Sequence, residues 1–190
     1  QLTREQLAAM GTKLEGNPDN ASPCVFGGFT VSRCDPATGE YRDTVRVPVA
    51  GEVVFVVASP EMELATKASR AVLPKTLPFF DAAKSINSAA YVVAVFASGD
   101  FAKLRFAAGD RMHEPYRLPG IPGAREAIAD GVTAGALTGW LSGSGSSVLC
   151  VARPAEAERV AAAMRGAFQR AGLASTVRIL SVENDGLRIE

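Results

Sequence analysis

Three groups of residues in this chain could do chemistry. Glu15-Gly16-Asn17-Pro18-Asp19-Asn20 packs two side-chain amides and two carboxylates into six positions, and Ala21-Ser22-Pro23-Cys24-Val25-Phe26-Gly27-Gly28-Phe29 follows at once. Asn and Asp there can hydrogen-bond a small polar ligand, because backbone broken by Gly and Pro is not committed to a ladder. A helix-to-strand connection would use the same residues. Arg70, in Ser69-Arg70-Ala71-Val72-Leu73-Pro74, and Arg117, in His113-Glu114-Pro115-Tyr116-Arg117, carry guanidinium forks that grip a carboxylate through two parallel hydrogen bonds. A solvated surface arginine looks the same in sequence. The third group is the Gly-Ser loop Leu141-Ser142-Gly143-Ser144-Gly145-Ser146-Ser147, whose glycines allow close backbone approach. It lacks the Lys of a phosphate loop. A strand is expected after it, not a helix whose N–H groups would face a phosphate.

Other chemistries find little support. Cys24, Cys34 and Cys150 form no metal spacing and no C-x-x-C, and scattered thiols of odd number fit a reducing cytosol. His113 is the only histidine, so a His-based metal site is not expected, and it reads as a structural partner in its loop. Lys+Arg and Asp+Glu are 20 each, which gives no basic surface for nucleic acid or membrane. Apolar content of 47% with 21% charged residues is that of a globular chain, and no apolar run is long enough to span a bilayer. The chain opens with Gln1 inside a helical pattern, which suggests a processed or trimmed start.

These residues must be held by elements. Thr3 to Gln6 fits a capping box, Leu7, Met10 and Leu14 repeat at helical spacing, and Gly16 and Pro18 end the helix. Strands are expected at 25–32 and 44–49, around a turn at 35–39. A buried strand is expected at 52–58, a short helix at 67–73 and a longer one at 81–97, with further helical residues at 101–108. Residues 111–123 read as a loop and 124–130 as a helix. Strands at 135–141 and 148–152 flank the Gly-Ser loop. Pro154 opens an amphipathic helix that turns Ala157, Val160, Ala161, Met164 and Phe168 inward. A final hairpin is expected from 176–182 and 187–190 through Asn184-Asp185-Gly186. The mixture predicts an α+β class, with an antiparallel sheet and helices on one face. Residues 1–50 read as the tail of one domain and 51–190 as a second domain.

Four ordered segments carry a resemblance. Glu15-Gly16, Pro18-Asp19-Asn20, Pro23 and Gly27-Gly28 resemble E-G-H-P-D-N-V-A-P-x-x-x-G-G of homoserine kinases, in the GHMP family of small-molecule kinases, with Asn17 where that family usually has His. Thr66-Lys67 with Arg70 to Pro74 resembles S-T-K-x-A-R-x-V-L-P. His113, Pro115, Tyr116 and Arg117 resemble H-x-P-Y-R, and Ile121-Pro122-Gly123 continues that match. Residues 135–145 resemble the third GHMP motif, G-A-x-G-x-x-L-S-G-A-G-P-T, with Ser144 and Ser146-Ser147 replacing Ala and Pro-Thr. The family's N-terminal ATP loop, P-x-x-x-G-L-G-S-S-A, has no counterpart in the sequence.

The resemblance implies a GHMP-kinase-like fold with a ferredoxin-like C-terminal domain, preceded by the end of an N-terminal domain. It implies ATP-dependent phosphorylation of the L-homoserine hydroxyl, in threonine biosynthesis and in the cytoplasm. Arg70 and Arg117 would bind the substrate carboxylate, with Asn17 and Asn20 at the amino-acid end. Arg117 would also offset charge that develops during transfer, and Ser142, Gly143 and Gly145 would shape the active-site loop. ATP and Mg²⁺ would be held mainly by residues outside this chain, the partner would be a second copy in a homodimer, and this chain alone would be inactive. Asn17 leaves open a kinase of another small hydroxylated metabolite. A non-catalytic amino-acid-binding or assembly module derived from the fold is a further alternative.

Overall fold

The computed structural model describes residues 2–62 and 71–188. The chain divides into two compact units, Gln1–Gly51 with Val182–Glu190, and Glu52–Ser181.

In the first unit, helix α1 (Arg4–Glu15) starts at the expected capping box. The Thr3 hydroxyl accepts the Gln6 N–H at 3.2 Å, and the Gln6 side chain accepts the Thr3 N–H at 2.8 Å. Gly16, at φ 80°, closes it. The strand expected at 25–32 is divided. Residues Ala21–Phe26 form helix α2, and strand β1 (Phe29–Cys34) begins after Gly27-Gly28. The cause is local: Pro18 prevents α1 from continuing, its carbonyl accepts the Ser22 N–H at 2.9 Å, and a new helical turn starts there. β1 pairs antiparallel with β2 (Tyr41–Val47). Hydroxyls tie α2 to this hairpin, since buried Ser22 Oγ accepts from Ser32 Oγ at 2.7 Å and from Thr44 Oγ1 at 3.3 Å.

Among the described residues the expected C-terminal hairpin does not form. Leu187 and Arg188 are not strand, and the residues after 181 join the first unit. The Asn184 side chain accepts from Val49 N–H and donates to Val49 C=O, both at 2.9 Å, and Leu187 N–H donates to Val25 C=O at 3.1 Å. A side chain at Gly27 would meet Gly186 N at 2.5 Å, so the tail lies directly on that glycine. Backbone groups of 183–187 thus find partners in the first unit that a two-stranded hairpin would have supplied.

The second unit is a four-stranded antiparallel sheet. Its strands β3 (Val54–Pro60), β4 (Thr138–Leu141), β5 (Val148–Ala152) and β6 (Ser175–Leu180) lie in the order β4-β5-β3-β6. Helices α3 (Phe79–Ser98), α4 (Glu114–Arg117) and α5 (Ala124–Thr133) come between β3 and β4, and α6 (Ala157–Arg170) between β5 and β6. This is the expected ferredoxin-like β-α-β-β-α-β topology. Val56, Ala58, Val148 and Cys150 of one sheet face pack with Ala127 of α5 and with Val160, Met164 and Phe168 of α6. Burying each large side chain is worth about 1.5–3 kcal/mol. A Cβ at Gly131 or at Gly139 would lie 2.7 Å from Cys150 Sγ, so α5 and β4 close tightly around that thiol. Helices are not confined to this face. Phe55 points the other way, and Phe96 of α3 stacks on it with ring centroids 6.4 Å apart.

Two further boundaries bear on the site. Residues 111–123, expected as loop, contain α4 and a 3₁₀ turn at Leu118–Gly120. Pro115 lies in the first turn of α4, where its missing N–H costs nothing. The short helix expected at 67–73 falls largely outside the described residues.

Candidate functional site

In the second unit, Arg117 and the Gly-Ser loop come together. α4 carries Glu114 and Arg117 three residues apart, a spacing that puts both on one side of a helical turn. Arg117 Nη1 donates to the Gly143 carbonyl at 3.4 Å. The Glu114 carboxylate accepts the Leu141 N–H at 2.6 Å, at the entry to the loop. Across the loop, Ser142 N–H donates to Ser147 C=O at 2.9 Å and Gly145 N–H to Ser142 C=O at 3.0 Å. Gly143 at φ 56° and Gly145 at φ 89° take backbone conformations that suit glycine. Ser147 Oγ is 2.7 Å from Ser59 Oγ of β3, which fastens the exit of the loop. Strand β5 follows the loop, so it lacks the helix N-terminus of a phosphate loop, as the sequence indicated.

The position of α4 is set from its N-terminal side. Asp110 accepts N–H groups from Met112 at 3.0 Å, His113 at 2.8 Å and Glu114 at 2.7 Å. Partial burial alone would raise its carboxyl, but the N–H groups of Glu114, His113 and Met112 together outweigh that and hold it below the usual range. Buried Ser85 of α3 accepts the Arg111 N–H at 2.8 Å, which anchors the same segment. Glu114 is shifted the opposite way. Burial raises its carboxyl above the ordinary value, against the lowering effect of the Leu141 N–H. Sequence reasoning passed over Asp110, Glu114, Ser59 and Ser85. The available signal was Asp110 preceding three consecutive N–H groups and a proline-started turn.

In the first unit, Asn17 and Asn20 lie between α1 and α2. Asn17 Oδ1 is buried and accepts no hydrogen bond among the described residues. Asn20 stands at the N-terminal boundary of α2, is exposed, and makes no side-chain cap. Neither amide is therefore consumed by capping the helix that follows, as an ordinary turn former's would be. Asp19 is exposed. Arg70, with Thr66 and Lys67, lies outside the described residues.

Comparison with known proteins finds relatives along nearly the whole chain. Residues 92–170 match the family model described as GHMP kinases C terminal. The homoserine kinase of Moorella thermoacetica is 39% identical over 181 residues, covering 95% of this chain and 60% of that protein. A homoserine kinase of Thermus thermophilus is 37% identical over 156 residues, covering 82% of this chain and 52% of that protein. The crystal structure of homoserine kinase from Cytophaga hutchinsonii superposes with a TM-score of 0.87 at 27% identity, over 98% of this chain and 60% of that one. The chain thus spans half to three fifths of the length of these relatives. The chain is similar to homoserine kinases along nearly its whole length, and residues 92–170 of its second unit match the C-terminal family model of GHMP kinases.

Proposed function

We propose that the complete protein to which this chain belongs transfers the γ-phosphoryl group of ATP to the hydroxyl of L-homoserine. The observation that carries this reading is the 39% identity to a homoserine kinase over 181 residues, a stretch that includes Arg117 and the Gly-Ser loop. Phosphoryl transfer rests mainly on holding the reactants in line and on stabilising charge. Arg117 stands against the Gly143 carbonyl of the loop, and the guanidinium fork is the group that matches a carboxylate in geometry and charge. The same positive charge offsets charge developing at the transferred group. Arg70 is proposed as the second carboxylate ligand, and Asn17 and Asn20 as partners of the amino-acid end. ATP supplies the phosphoryl group. ATP and Mg²⁺ are proposed to be held mainly by residues outside this chain, as the resemblance implies. We also propose a cytoplasmic location and a homodimer, as the resemblance implies. No helix among the described residues is long and apolar enough to cross a membrane.

The test is homoserine-dependent ADP formation by the complete protein and by its Arg117→Ala variant. The variant is expected to raise KM for homoserine about 10- to 100-fold, the value of a charged hydrogen-bond pair. Absence of homoserine-dependent turnover in the complete wild-type protein refutes the reading, and an unchanged KM in the variant refutes the role of Arg117. Asn17, in the place of a family histidine, favours one second reading, a kinase acting on another small hydroxylated compound. A panel of amino alcohols and hydroxy acids in the same assay separates the two.

A further inference from the structure

β4 is an edge strand, and at Leu141 its N–H leaves the sheet instead of pairing with β5. Leu141 is only 2% exposed, so this donor needs a partner from within the protein. Glu114 is that partner, at 2.6 Å. One turn along the same four-residue helix, Arg117 reaches Gly143, two residues beyond Leu141. A helix this short has little stability of its own, so its contacts decide its orientation. Asp110 and Ser85 hold its N-terminal side, and Glu114 and Arg117 hold the loop.

We propose that Glu114 is a positioning residue of the site: its carboxylate ties the entry of the 142–147 loop to the helix that carries Arg117, so that loop and guanidinium present one fixed arrangement to the substrate. This rests on the function proposed above. The groups acting on the Glu114 carboxyl are His113, Asp110 and Arg125, with the Leu141 N–H. Asp110 disfavours its ionised form, while His113 and Arg125 favour it. Gln at this position keeps a carbonyl oxygen for the Leu141 N–H and loses only the charge.

Two measurements test the tie and its consequence. Amide hydrogen exchange on this chain, read by NMR, is expected to show Leu141 N–H protected in the wild type. It should stay protected in Glu114→Gln and exchange about 10-fold faster or more in Glu114→Ala, with Leu149 and Val151 unchanged as controls for folding. In the complete protein, Glu114→Ala is expected to raise KM for homoserine about 10-fold, and Glu114→Gln to recover most of it. Unchanged Leu141 exchange in Glu114→Ala overturns the tie. Faster Leu141 exchange with an unchanged KM overturns the positioning role and leaves Glu114 a structural residue. If the wild-type protein shows no homoserine-dependent turnover, the kinase reading fails and the substrate part of this proposal fails with it, while Leu141 exchange still decides the tie.

Discussion

Replacing Asn17 with Ala should separate a ligand-binding residue from a turn former. Asn17 Oδ1 is buried without a hydrogen bond among the described residues. A buried acceptor in that condition costs about 1–3 kcal/mol. Asn17 is not in the left-handed region, and it precedes Pro18, where extended backbone is favoured for any residue. Ala therefore fits the backbone without strain, and the substitution removes the uncompensated amide along with some half-buried contact area. Unfolding of the first unit in urea should then cost the same as in the wild type, or up to about 1 kcal/mol more. Ligand affinity should move the other way. If the substrate ammonium donates to Oδ1, losing that charge-assisted bond weakens binding by about 1.5–3 kcal/mol, roughly 10- to 150-fold. Urea titration of this chain and calorimetry of the complete protein with homoserine give the two numbers. A variant that loses more than about 1 kcal/mol of stability yet binds homoserine normally would refute the reasoning, and Asn17 would then be a turn residue.

Two further outcomes follow from the second unit. The Asp110 carboxyl is held below its usual range, so the stability it contributes is present above the ordinary aspartate value and is lost as pH falls through its lowered folded value. Asp110→Asn should therefore cost about 1–2 kcal/mol in urea denaturation at pH 7, and the gap from wild type should close on strong acidification; a gap that persists at low pH contradicts the assignment. Burial pushes the Cys150 thiol up to about 12, while Cys24 is exposed. At pH 8, iodoacetamide should alkylate exposed Cys24 in the folded protein and reach Cys150 only on unfolding, since buried Cys150 presents roughly a thousandfold less thiolate than an ordinary cysteine. Mass spectrometry that finds both labelled at similar rates would show that the packing of Gly131 and Gly139 around this thiol is wrong.

Much of the fold was legible because its signals are local. The capping box at Thr3, the cap at Gly16, the β-branched run of β3 and the apolar periodicity of α6 are each specified by residues a turn or two apart. The strand signal across 25–32 failed for a related reason. Val25 and Phe26 have strand character, but the Pro18 carbonyl had already started a helical turn that runs to Gly27. The Asn184-Asp185-Gly186 turn signal was real, yet Asn184 bonds to Val49, 135 positions away, and no local pattern encodes such a partner. The site divides in the same way. Sequence alone picked out Arg117, the Gly-Ser loop and the two asparagines by residue type and by resemblance in spacing. Only the tertiary structure brought Arg117 to Gly143, left Asn17 Oδ1 buried without a partner among the described residues, and made Glu114 the acceptor for Leu141. A carboxylate three residues before an arginine is an ordinary pattern until an edge strand 27 positions later directs a buried N–H at it. Propensity and spacing act over a few residues, whereas desolvated hydrogen bonds are decided by which distant segments the fold brings into contact.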